Sequence, residues 1–279
     1  SLLSMVRGWG RTGHDLTAAL SSRLISDETE EYVASVLGNE SLVDVANWAD
    51  SVTKDMKWSQ PLHFINVNDE CDNIENCQFT YSRDCVDDVC VAGAIANYTG
   101  RLLHDFEGGD DAEYEYLKFL VHFVGDAHQP LHCARADDLG GNTISPVYYN
   151  VTDQGNKWDL HQIWDFGMIE NHVSDVEEGA DSLMTLIEDG GKWVGEVEDW
   201  LECEDGSDTA CTSSWGQESV GYSLSFAYPD AKGNQIKAGD EITDEYVEDR
   251  WENVVQKRLL MGGVRLARIL ESVAKTRKV

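Results

Sequence analysis

Residues 119–132 read FLVHFVGDAHQPLH. The run opens apolar, places His122 and Asp126 four residues apart, and meets Pro130 two residues before a further histidine, His132. Four residues is about one helical turn, so His122 and Asp126 lie on one helix face. Pro130 ends that helix, and the chain can turn there to bring His132 back towards the same place. A buried helix ending in titratable side chains implies an α-helical domain organised around that end.

Hydrophobic spacing elsewhere is mainly helical. Leu42, Val45, Ala46, Ala49 and Met56 recur at helical intervals, as do Trp251, Val254, Val255, Leu259, Gly262, Leu266 and Leu270. The second stripe predicts a long C-terminal helix with its basic residues on the outer face. Residues 86–103, 112–129 and 173–189 are further helix candidates. Alternating strand patterns are confined to LHFINV and VGYSLSF. Gly/Asp-rich joints at 108–111 and 204–209 read as loops. The expected fold is all-α, one mainly helical domain over residues 9–279.

The chain has 279 residues and a net charge of −31. That excludes gripping nucleic acid or an anionic membrane through a broad basic face. The balance is uneven, because Arg250 to Val279 holds eight basic and two acidic residues, leaving −37 elsewhere. No stretch approaches the roughly 18 apolar residues of a membrane span. Seven cysteines fall mostly in short polar pairs, which suits disulfides better than a metal site. Sequons begin at Asn39, Asn97 and Asn150. Together these predict a secreted or lumenal protein, lysosomal and vacuolar compartments included. Residues 1–8 are apolar except Arg7, with Val6 and Gly8 at the −3 and −1 positions of a cleavage before Trp9; they read as a signal-peptide remnant.

A core histidine bonded to a carboxylate would explain one His/Asp pair. The pattern recurs, however: DLHQIWD sets His161 and Asp165 at the same spacing. Imidazole and carboxylate are zinc ligands, and two helices each offering both could build a site between them. Asp50 in NWAD, His63 in PLHFIN and His14 in WGRTGH are further candidates.

The motifs WGRTGH, NWAD, LHFIN, YSRDC with CVAGAIANYT, FLVHFVGDAHQPLH, GGN and DLHQIWD occur in one order along the chain. In them the sequence resembles the zinc-dependent S1/P1-type nucleases, which include plant class I nucleases and protozoan 3′-nucleotidase/nucleases. The resemblance implies the helical fold shared by phospholipase C and P1 nuclease, with three zinc ions in a cleft. The first would be held by Asp50, His63, His122 and Asp126, and the second by His132, His161 and Asp165. The third would take the α-amine and carbonyl of Trp9, His14, and the other oxygen of Asp126. Asp50 and Asp126 are then the catalytic carboxylates, and His128 is not a ligand. Three zinc ions against three carboxylates leave a locally positive pocket that can hold a phosphodiester. The implied reaction is in-line attack of hydroxide on phosphorus, giving 5′-phosphate products. Phe64 would stack on the base and Asn66 meet its edge, which favours single-stranded nucleic acid and nucleotides as substrates. The family motif also implies a Cys85–Cys90 disulfide. Proximity alone suggests Cys71–Cys77 and Cys203–Cys211, leaving Cys133 reduced. The protein is expected to be a monomer without a membrane partner.

Two rival readings use the same ligands. A zinc phospholipase C shares the site, but the short gap from Trp9 to His14 and Asp165 in place of glutamate favour the nuclease. A catalytically inactive, zinc-stabilised binding protein is opposed by the intact ligand set.

Overall fold

In the computed structural model, the described residues are 9–71, 76–104, 109–148, 158–203 and 208–277, with side chains in the last segment from 211 onwards. Residues 1–8, Asn150 and the 204–207 joint lie outside them. The architecture is α-helical, as expected, with a single two-stranded sheet among the described residues. The long helices are Arg11–Leu24, Val91–His104, Gly109–His128, Asp208–Tyr222 and Gln256–Arg277. The N-terminal helix packs along the C-terminal one, and Gly109–His128 lies against both and against Val91–His104. From Leu117 to its end at His128 the central helix is buried on every side. Its polar end therefore sits inside the protein, where each polar atom needs a partner.

That partner structure begins at the turn. Pro130–His132 form a 3₁₀ turn and lead directly into β2 (Cys133–Arg135), which pairs in parallel with β1 (Ile65–Val67), Ile65 opposite Cys133. Each strand follows a candidate ligand, His63 and His132 respectively. The sheet thus clamps two distant histidines side by side.

The observed elements correct several expectations. VGYSLSF is helical: Asp208–Tyr222 continues through a π turn at Ser223–Ala227. Val220, Leu224 and Ala227 recur at helical spacing and are buried, while the intervening serines imitate strand alternation. Residues 109–111 begin the central helix and 208–209 begin another, so neither is a loop. The helix expected from 86 starts at Val91, after a short 3₁₀ turn, and the one at 173–189 spans Val176–Met184. Basic residues of the C-terminal stripe are not all outward. Arg250, Arg258 and Arg265 are buried, because Glu218 and backbone carbonyls accept from them.

Disulfides join Cys71–Cys77, Cys85–Cys90 and Cys203–Cys211. Cys133 is free and buried, and burial pushes its thiol up to about 12. Asn39 and Asn97 are exposed. No helix among the described residues is long and apolar enough to cross a membrane.

Candidate metal centre

Around the end of the central helix the structure assembles three groups that could hold a metal ion: Asp50/His63/His122, His14/His122/Asp126 and His132/His161/Asp165. Every side chain in them except Asp50 is buried. They come from Arg11–Leu24, the short helix Trp48–Val52, the 3₁₀ segment Lys57–His63, the central helix with its 3₁₀ turn, and the helix starting at Leu160.

Backbone carbonyls aim three of the imidazoles. His122 Nδ1 bonds Ala46 O, His132 Nδ1 bonds His63 O, and His161 Nδ1 bonds Gly140 O, each at 2.7 Å. A carbonyl only accepts, so each Nδ1 carries a hydrogen and Nε2 is the nitrogen turned towards a possible ion. Those Nε2 atoms face carboxylates. His122 Nε2 is 3.3 Å from Asp126 Oδ2 and 3.6 Å from Asp50 Oδ1. His161 Nε2 is 3.4 Å from Asp165 Oδ2, and His132 Nε2 is 3.9 Å from Asp165 Oδ1. This arrangement, with one ring nitrogen anchored on a carbonyl and the other turned towards a carboxylate, is how proteins hold metal-binding histidines.

Asp126 is the hub. Its Oδ1 lies 3.3 Å from His14 Nε2, while its Oδ2 lies 3.0 Å from His63 Nδ1. The two oxygens therefore serve different groups. His14 stacks on His122 with ring centroids 3.8 Å apart. Trp9 is fully buried, and the chain just after it is tied down by Gly10 N–H donating to Asp165 O at 2.7 Å.

The charge state fits cation binding. For Asp126, burial would raise the carboxyl, but the charge of His122 and the bonds from His122, His14 and His63 hold it well below the usual range. Burial would likewise lower His122, yet Asp126 and Asp50 raise it to about 9. His14 is lowered to about 4 by burial and then by His122, and His161 to about 3 by burial and then by His132. Asp126 thus attracts positive charge. Burial pushes the Asp165 carboxyl well above the usual range, so that it calls for a cation of its own to ionise. The imidazoles of His14 and His161 stay neutral and able to donate a lone pair.

A direct test of fit is the set of buried polar atoms without a hydrogen-bond partner. Both ring nitrogens of His14, His63 Nε2, Asp126 Oδ1 and His161 Nε2 are among them. Such atoms cost free energy unless something satisfies them, and these five cluster in the three groups. Their chemistry, imidazole nitrogen with carboxylate oxygen, is that of zinc ligands.

Several contributors lie inside the quoted motifs with a role that only the structure reveals. Gln129 donates to Asp165 Oδ1 at 2.5 Å and accepts from Leu131 N–H at 2.5 Å, joining the turn to the second helix. A Cβ at Gly125 would stand 2.6 Å from His14 Nδ1, so only glycine lets the N-terminal helix approach Asp126. Gly140 has φ +65°, and a Cβ there would meet Leu131 O at 2.3 Å. Glycine thus sets the turn whose carbonyl aims His161. The i, i+4 spacing of His161 and Asp165 spans a junction from α-helix to a π turn at Ile163–Gly167, and Asp159 caps the helix start.

Phe64 and Asn66 follow His63 and are half-buried, Asn66 opposite Ala134 in the sheet. His128 is held apart from the metal groups: its Nδ1 donates to Val124 O, and its Nε2 accepts from Arg265 at 2.9 Å.

A family model described as S1/P1 Nuclease matches residues 9–275. Endonuclease 2 of Arabidopsis thaliana is 35% identical over 285 residues, spanning 96% of this chain and 91% of that protein. Nuclease P1 of Penicillium citrinum is 33% identical over 276 residues, spanning 95% of this chain and 97% of that one. Among solved structures, the alpha toxin from Clostridium absonum aligns with 96% of this chain and 65% of its own at 12% identity and TM-score 0.46, a likeness too slight to bear on function. With a match that runs nearly end to end and includes every motif around the buried His/Asp groups, the chain belongs to the S1/P1 nuclease family.

Proposed function

We propose that this protein is a secreted, zinc-dependent phosphodiesterase, one domain from residue 9 to 279, that cleaves single-stranded DNA and RNA to 5′-phosphate products and also acts as a 3′-nucleotidase. The observation that carries this reading is the convergence of three groups of nitrogen and oxygen atoms, with five unpartnered buried atoms, around the end of one helix. Asp50, His63, His122 and Asp126 would hold one ion. His132, His161 and Asp165 would hold another, and Trp9, His14 and Asp126 a third. Bound there, the ions supply the Lewis acidity that lets water attack phosphorus near neutral pH. The protein's own work is positional. Carbonyls of Ala46, His63 and Gly140 fix the ring orientations, Asp126 spans two groups, and Gln129 locks Asp165. Phe64 presents a face for the base and Asn66 its amide.

The decisive experiment incubates the protein with single-stranded DNA, RNA, 3′-AMP and phosphatidylcholine, with and without chelator. Chelator-sensitive cleavage of the first three is expected. Hydrolysis of phosphatidylcholine alone would identify a phospholipase C, and no hydrolysis with tight zinc binding would identify a binding protein.

The third group leads to a prediction about processing. An α-amine can donate a lone pair to a metal, whereas the same nitrogen in a Gly8–Trp9 peptide bond is a planar amide that cannot. The active form is therefore expected to begin at Trp9. Intact-mass measurement finding full activity with residues 1–8 attached would refute this.

Salt dependence follows from the net charge of −31. A long strand must approach through that field, and about 0.15 M salt screens it to roughly 8 Å. Attraction at a small buried pocket is reduced less. Between low and moderate salt, kcat/KM for long single strands is expected to stay level or rise. A steep fall at constant pH and saturating zinc would reveal a basic track.

A further inference from the structure

Of nine tryptophans, eight are buried or half-buried and one, Trp58, is 55% exposed. Trp58 lies on the 3₁₀ segment Lys57–His63 that delivers His63 to the metal centre. A 3₁₀ helix has three residues per turn, so Trp58 and Pro61 lie on one face, and the next step of three reaches Phe64 at the helix end. Burial agrees: Ser59 and His63 point inward, Trp58 is exposed, and Pro61 and Phe64 are half-exposed. Six residues at about 2.0 Å rise place Trp58 roughly 12 Å from Phe64 along the segment. That is several base-stacking distances, at about 3.4 Å each in a stacked strand. The indole is anchored, not loose: it leans on the buried Phe119 with centroids 5.6 Å apart, tilted by 55°. Exposed Lys54 and Lys57 precede it, with exposed Asp55 between them, in an otherwise strongly acidic chain.

We infer that Trp58 is an outer stacking platform for single-stranded nucleic acid, gripping bases of the strand beyond the nucleotide held at Phe64. The inference rests on the nuclease reading above and adds a determinant of substrate length to it. Aromatic faces stack on any base, so the platform selects strand length without selecting sequence. Duplex, whose bases present no free face, gains nothing from it. Two nearby lysines, offset in part by Asp55, offer phosphate contacts too few for steep salt dependence, consistent with the level salt response expected above.

The test compares a long single-stranded oligonucleotide with a dinucleotide for wild type, Trp58→Ala and Trp58→Phe. In Trp58→Ala the preference for the long strand, as the ratio of the two kcat/KM values, is expected to fall about tenfold through KM, the scale of one lost stack. Trp58→Phe should retain most of it. A preference unchanged in Trp58→Ala would overturn the inference. So would equal loss of kcat on both substrates, because Phe119 stacks on Phe123, which packs against His63, and a merely structural Trp58 would act through that chain. Wild-type protein that cleaves neither substrate would instead overturn the nuclease reading on which the inference stands.

Discussion

Replacing Asp126 with alanine is expected to strip the protein of more than one metal ion and to lower kcat/KM by about a thousandfold or more, the scale of losing a preorganised charged group from an active site. Its Oδ1 faces His14 at 3.3 Å, and its Oδ2 faces His63 at 3.0 Å and His122 at 3.3 Å. No other carboxylate among the described residues reaches both groups. Asp50, at the more exposed edge, approaches only His63 and His122, at 3.7 and 3.6 Å. Asp50→Ala should therefore lose one ion where Asp126→Ala loses more. Elemental analysis after gel filtration, with circular dichroism to establish folding, separates the cases. A folded Asp126→Ala protein that loses a single ion, or keeps activity within tenfold of wild type, would show that the groups are filled independently.

The ligand pairs were legible because they depend on one local rule. His122/Asp126 and His161/Asp165 share a helix face at i, i+4 whatever the rest of the chain does, and Pro130 ends a helix wherever it falls. Short cysteine spacings are local in the same sense. What could not be read is what tertiary packing supplies. Ala46, His63 and Gly140 aim the imidazoles through backbone carbonyls, which every residue has, so no side-chain pattern marks that role. Gly125 is one glycine among 24 until His14 is seen beside it. VGYSLSF misled because Ser223 and Ser225 alternate with large residues as in a strand, although Ser223 is buried on a helix and Ser225 is exposed. The basic C-terminal helix misled for a different reason. Its charge is visible in sequence, but the acid that lets Arg258 and Arg265 be buried lies some 40 residues upstream on another helix.

That acid carries the second large effect. Glu218 Oε2 accepts from Arg258 Nη1 at 2.8 Å and from Arg265 Nη1 at 2.6 Å. Arg258 is wholly buried and also donates to the carbonyls of Ala127 and His128, the last turn of the central helix. Arg265 donates to His128 Nε2 and Trp200 O. A cation at a helix C-terminus satisfies carbonyls that have no partner within the helix. Glu218 is what makes two buried cations tolerable there. Removing one partner of a buried ion pair costs about 3–5 kcal/mol, since the other charge is left uncompensated. Glu218→Gln should thus lower Tm by roughly 10 °C in a protein of this size. The acid limb gives an independent check. Burial would raise the Glu218 carboxyl, but Arg258 and Arg265 hold it at about 2 against an ordinary 4.5. A depressed carboxylate contributes its stability above the unfolded value and loses it as pH falls through the folded one. The stability difference between wild type and Glu218→Gln should be full above about pH 4.5 and shrink towards pH 2. Equal melting temperatures at neutral pH would sink this account, as would a difference that stays constant down to pH 2.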